Sequence, residues 1–367
     1  MNLGATRTWG VAIVLTGVAL ALAQTPPRLA SLRSKQGDFA IEQIRQTFLQ
    51  SPEGTNLKFD FAGTPLRGFS RTQNLDFTAR RATGTMIGLR GGSAYLDQAS
   101  LTGNVIVNLA GQEVGTRTLT TEQVNFNEDA NGQGATVRVP GAFRLKSDLE
   151  DIRAAGLRLT LSGARGGDRK VTRITTEGAT TANYGLTEGS ARSLYNLTGQ
   201  NIAATLSGNT TRVTLPGAFT ADLDLSNNAA DVRVARKAVF TGRDGELELE
   251  RSGRDTQVNS FKSDGPVTTT VNSVTAAPGT EPQRIRLVAK GSSVRATRQG
   301  ERLTIRLSGD VSLDVEQADG TGLEFQGNGS SDVVEIVVDR AGRVLRYELT
   351  GGPARVEGQA SRTGGNR

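Results

Sequence analysis

Two acidic groups and two basic runs are the residues whose types and spacing could do chemistry. Asp148, Glu150 and Asp151 lie close together, and Glu246, Glu248 and Glu250 alternate with Leu247 and Leu249. Paired carboxylates suffice for a glycosidase or polysaccharide lyase. The first group reads as a turn and the second as the solvent side of a strand. Neither is expected in a groove, so no catalytic residue is assigned and the chain is not read as an enzyme. The basic runs RGGDRKVTR (165–173) and ARKAVFTGR (235–243) could meet phosphate or carboxylate head groups through charge-assisted contacts, or simply be solvated.

What is missing narrows the chemistry further. The 367 residues include no cysteine and no histidine. That removes disulfides, thiolate metal sites, cysteine nucleophiles, Ser-His-Asp arrangements and the commonest zinc ligand. No cofactor and no metal are expected. A net charge of +6 favours anionic partners. Nucleic acid is not expected among them, because the basic runs lack interleaved aromatic stacking platforms and the chain reads as exported. Arg7, the apolar run VAIVLTGVALALA (11–23) and Ala21-Leu22-Ala23 have the form of a secretory signal over 1–23. A cleaved signal implies a periplasmic or otherwise exported chain, and a retained one an inner-membrane tether.

The elements that must position these residues are strands. Period-two alternation bounded by Gly, Asn, Asp and Ser recurs from LKFDF (57–61) through NVIVNL (104–109), GLRLTLSG (156–163) and VVEIVV (333–338) to LRYEL (345–349). Residues 24–56 are ambiguous: DFAIEQIRQTFLQ (38–50) has spacing between strand and helix, with Asp38 a possible helix cap. AAPGTEPQ (276–283) reads as a linker between β-regions at 57–275 and 284–357, and 358–367 as a disordered tail.

Repetition sets the architecture. An apolar residue, a hydroxyl residue and glycine recur seven times, starting at 101, 161, 197, 206, 240, 307 and 349. VRVPGAF (137–143) returns as VTLPGAF (213–219), and LTGNVIV (101–107) as LSGDVSL (307–313). A glycine inside a strand marks a bend or bulge, so this phrase predicts a bend in every rung of a stack of short strands. Such units share one continuous core.

SLTGNVIVNLAG with TRTLTTEQVNF resembles the OstA-like family of periplasmic lipopolysaccharide-transport proteins, the LptA and LptC group. LSGDVSLDVEQADGTGLEFQGN (307–328) looks like a second instance and NLTGQNIAATLSG (196–208) a looser third. The middle copy carries an extra residue, and the chain is about twice the length expected of one such domain. The resemblance implies an elongated, half-open antiparallel β-jelly-roll, or β-taco, in two or more fused copies. It also implies acyl chains between the two sheets and neighbours paired at the ends.

Alternation independently predicts one oily face. With one unbroken phase per strand it carries Leu101, Val105, Val107, Leu119, Val137, Val139, Phe143, Leu145, Leu157 and Leu159. The second copy adds Val213, Leu215, Phe219, Leu223 and Leu225, and the third Leu303, Ile305, Leu307, Val311, Leu313 and Val315. Arg138, Thr160, Arg212, Thr214, Thr304, Arg306, Ser312 and Asp314 fall opposite. That oily face either closes into a dry sandwich or stays splayed and admits lipid. With the resemblance, the cargo of the splayed form would be lipopolysaccharide or another envelope glycolipid for outer-membrane biogenesis. The open edges of that form would add strands from bridge partners or further copies of the chain. The closed form would be an exported structural or adhesive envelope protein.

Overall fold

The regular structure is all β-strand, and its pairings are antiparallel, as the alternation predicts. The computed structural model describes residues 30–362 apart from 34–38, 51–56, 71–74, 88–94, 112–114, 148–149, 165–169, 189–190, 225–226, 230–231, 253–254, 277–280, 301, 319–322, 340–343 and 353. The expected signal at 1–23 lies outside the described residues, as do Asp38 and Asp148. The ambiguous 38–50 segment contains two strands, Phe39–Ile44 and Gln46–Gln50.

The chain forms two compact units, Met1–Gly178 and Ala179–Arg367. In the first, strands Leu57–Ser70, Leu75–Ile87, Tyr95–Gly111, Gly115–Glu128, Gly134–Lys146 and Glu150–Ser162 run up and down in chain order, each bonded to the next. Lys170–Glu177 follows on the last of them. Each of the first five pairings slips near its middle: between Ala62 and Leu66, Thr78 and Arg81, Thr102 and Val105, Thr121 and Asn125, Pro140 and Phe143. Because neighbours slip opposite one another, the bulges form one line across the sheet. A bulged strand bends there. The buried core takes residues from both sides of that crease, including Phe61 and Leu66, Ala79 and Ala82, and Val139 and Phe143. The sheet is therefore folded along the crease, with the inner faces of its two arms packed together.

The second unit repeats the plan. Thr210–Asp224, Val232–Ser252, Arg302–Ala318 and Leu323–Asp339 are long rungs. Between and beside them the chain breaks at the same level into strand pairs. One is Asp255–Ser263 with Val267–Ala276, and another is Gln283–Gly291 with Ser293–Gln299. Each member of such a pair bonds one arm of a long rung: Gln283–Gly291 bonds Ser312 to Ala318, and Ser293–Gln299 bonds Arg302 to Ser308.

The backbone at the crease explains the repeated phrase. In LTGNV, Gly103 has φ 79° and Asn104 φ 50°; in LSGDV, Gly309 has φ 80° and Asp310 φ 48°. Two consecutive left-handed residues re-aim a strand, and glycine followed by Asn or Asp is the sequence that tolerates them. The PGAF repeat is a second way to make the bend. Gly141 and Gly217 lie at positive φ, and Phe143 and Phe219 fill the core just beyond.

Four expectations are corrected. Not every recurrence of the phrase is a bend: Gly163 and Gly208 lie just beyond strand ends, the latter in the tight turn between Ala203–Ser207 and Thr210–Asp224. The phase is not unbroken within each strand. Inward residues switch from Leu119 and Thr121 to Val124, and from Ile152 and Ala154 to Leu157 and Leu159, because an odd number of crease residues reverses the parity. The 276–283 stretch is no linker. It joins Val267–Ala276 to Gln283–Gly291, which pair up to Thr275↔Gln283, and the compact units divide at Gly178 instead. Proline and glycine serve a hairpin connection as well as a linker. Residues 358–362 of the expected disordered tail belong to strand Arg355–Arg362, paired with Leu323–Asp339, because backbone bonding needs no apolar face; 363–367 lie outside the described residues.

Candidate functional site

The candidate site is the inner, apolar face of the folded sheet, present once in each unit. The crease residues turn both arms inward, and alternation then presents every second side chain to the interior. Of the residues expected there, Val105, Val107, Val139, Phe143 and Leu157 are buried in the first core. Leu101, Leu145 and Leu159 are half-buried against it, and Val137 is half-buried on the same strand. Val213, Leu215, Phe219, Ile305, Leu307, Val311 and Leu313 are buried in the second core. Leu223 belongs to strand Thr210–Asp224, its side chain lying outside the described residues, as does all of Leu225. The two sets form separate clusters, one per unit.

Burial within each face is graded. On strand Arg302–Ala318, Leu307 beside the crease is 0% exposed, Ile305 2%, and Leu303 only half-buried; on the other arm Val311, Leu313 and Val315 are 1%, 2% and 5% exposed. The first unit shows the same order: Val105 is fully buried and Val107 slightly less so, and Phe143 is buried where Leu145 is half-buried. Burial relaxes away from the crease on several strands, while Ala135 and Leu161 are buried near strand ends, Val315 stays buried at the end of its arm, and Leu101 beside the crease is half-buried. The outer positions remain apolar. Phe59, Ile152 and Ile174 in one unit, and Leu247, Leu249 and Ile285 in the other, are half-buried against their cores. A closed sandwich rimmed by water would ordinarily carry polar groups there. The arrangement can hold apolar ligand atoms against the outer part of each face, not at the sealed crease.

Sequence reasoning passed over these mouth residues for identifiable reasons. Ile152 and Ile174 are even-numbered and lie next to a slip in phase, Ile152 before the crease at Ala154–Leu157 and Ile174 after the irregularity between Val171 and Arg173. Leu247 and Leu249 alternate with the solvent-side glutamates and so pack inward, but an acidic strand draws the eye to its charged face and not to the leucines between.

The opposite faces are polar and laced by ion pairs. Arg212 meets Glu246 at 3.1 Å and Glu248 at 3.6 Å, and Lys262 meets Glu246 at 3.0 Å. Arg144 and Arg153 both donate to Asp151, and these guanidiniums hold its carboxyl well below the usual carboxylate range. Of the acids singled out in the sequence, Asp151, Glu246 and Glu248 are thus cation-bound on outer faces, where they lend cross-strand attraction. The second basic run places Lys237 against Asp222 at 2.8 Å. Of the first, 165–169 lie outside the described residues, Lys170 is exposed, and Arg173 is on the outer face near Arg158 and Thr160.

One buried polar atom inside the second face has no partner. Thr269 sits between Val267 and Val271, 1% exposed, its hydroxyl without a partner. Among the described residues no group of acidic side chains is arranged to hold a metal ion. Comparison with protein-family models, with curated proteins and with solved structures gave no match.

Proposed function

We propose that this chain is an exported lipid-binding protein of OstA-like type. Each unit holds acyl chains of an envelope glycolipid against the apolar outer part of its folded sheet and passes them on without catalysis. The observation that carries the reading is the inner face itself: sealed along most of the crease, and half-buried yet still apolar at Phe59, Leu145, Leu159, Leu249 and Leu303. Water against Phe59, Leu145, Leu159, Leu249 and Leu303 is a standing cost that an acyl chain removes, at about 0.8 kcal/mol per methylene buried. A chain of roughly a dozen carbons would retain several kcal/mol of binding after ordering costs.

This proposal assigns different roles to the residues expected in the groove. Val137, Leu145 and Leu159 would touch lipid, whereas Leu101 lies beside the crease. Val105, Val139, Leu215 and Leu307, which are almost fully buried, hold the walls together. Sheet-edge pairing with partner proteins or further copies, and lipopolysaccharide itself as cargo, are parts of the same proposal and rest on the resemblance.

The test is native mass spectrometry of the full chain isolated from envelopes without detergent. Co-purifying glycolipid in a defined ratio is expected. A clean apo mass, together with no uptake of added fatty acid, would instead mean a structural β-repeat protein whose mouth residues merely finish a dry core.

A further inference from the structure

The outer face of the first unit carries a feature the lipid reading does not use. Arg158, Thr160, Arg173, Thr175 and Glu177 line a concavity of about 450 Å³. Their neighbours Leu157, Leu159, Ile174 and Thr176 face the core, so alternation puts the concavity on the other side of the wall. Strand register places Arg138 directly opposite Arg158, Arg158 opposite Thr175, and Arg173 opposite Thr160.

Like charges opposite one another on adjacent strands are destabilising. Several outward arginines elsewhere are balanced, as where Arg286 meets Glu316 at 2.7 Å and Arg346 meets Glu335 at 2.7 Å, although Arg295 and Arg306 also stand opposite one another. At the concavity Glu177 faces Arg138 at 3.4 Å, while Arg158 and Arg173 have no ion-pair partner among the described residues. Two free guanidiniums and two threonine hydroxyls therefore border one hollow, with a third arginine beside it.

We propose that this hollow is a phosphate-binding site, in which Arg158 and Arg173 donate to the phosphate oxygens and the Thr160 and Thr175 hydroxyls supply further donors. A guanidinium presents a planar fork that matches phosphate in a bidentate manner. Several oxygens on one centre can use donors from both strands, whereas a carboxylate has only two. A bound phosphate would also relieve the Arg138–Arg158 repulsion. The phosphate could be free or part of a phosphorylated lipid head group, and the site stands independently of what the inner face holds.

The experiment is calorimetric titration of the full chain with inorganic phosphate at constant ionic strength, alongside flotation with phosphatidylglycerol and phosphatidylcholine vesicles. Saturable phosphate binding is expected, weakened about tenfold or more in Arg158→Gln and in Arg173→Gln and unchanged in the paired control Arg212→Gln. Without phosphate, Arg158→Gln should melt no lower than the parent protein, since it removes a repulsion. Flotation with phosphatidylglycerol alone, competed by phosphate, assigns the head group; phosphate binding without flotation assigns the free ion. Lack of saturation, equal weakening in Arg212→Gln, or unchanged binding in Arg158→Gln overturns the proposal.

Discussion

Leu303 and Leu307 point to the same inner face of strand Arg302–Ala318, four residues apart, yet one is half-buried and the other wholly enclosed. Truncating each to alanine separates wall from mouth. Leu307→Ala removes side-chain atoms from a site packed on all sides and leaves a cavity, which costs about 3–5 kcal/mol. Leu303→Ala removes the same atoms where water already covers part of them, and costs about 1 kcal/mol. Acyl binding should respond in the opposite order. A lipid at the mouth loses apolar contact with position 303, weakening a fluorescent fatty acid about fivefold, while Leu307→Ala leaves affinity unchanged wherever the protein is folded. Urea unfolding followed by far-UV circular dichroism gives the first quantity, and probe fluorescence the second. Equal stability costs would mean the two arms are closed along their whole depth. A larger binding loss in Leu307→Ala would show that ligand lies at the crease. Either result refutes the graded-face argument.

Three further outcomes follow from individual residues. Asp310→Val should destabilise the second unit by about 1–2 kcal/mol, because a β-branched residue resists φ 48°, whereas Asp310→Gly should not; thermal melts of the pair check this. Thr269→Val should stabilise by about 1 kcal/mol by deleting an unpartnered buried hydroxyl, read from the urea midpoint. Arg144 and Arg153 depress the folded-state pKa of Asp151, so its contribution is fully present above the unfolded value near 3.9 and is lost as pH falls toward the folded one. Asp151→Asn should therefore cost about 0.2–1 kcal/mol at pH 7, a gap that narrows in urea titrations below pH 4.

Strand content was legible because alternation is a local signal, and so was the bend at LTGN and LSGD, where glycine precedes a residue tolerant of left-handed backbone. The same letters at 161 and 206 mark strand ends, since nothing in three residues says whether the chain continues straight or turns back. Face assignments survived wherever the crease kept the count even, as from Leu101 to Val105. They failed for Ile152 and Ile174, where one bulge residue shifts every later side chain to the other face. The division at Gly178 leaves no mark in composition, whereas the prolines of 276–283 advertise a boundary that is only a hairpin. The Arg158–Arg173 hollow was legible only in part: Arg173 ends the basic run 165–173, but Arg158 and Thr160 join it through strand register, which carries no motif.

The most direct measurement uses the absence of native cysteine. Nitroxides attached through Leu145→Cys and Leu303→Cys report the mouth, and one through Thr304→Cys reports the opposite face of the same rung. On adding spin-labelled fatty acid, the account predicts dipolar broadening at the two mouth positions and none at 304. No broadening at any position, or equal broadening at all three, would contradict an accessible apolar inner face.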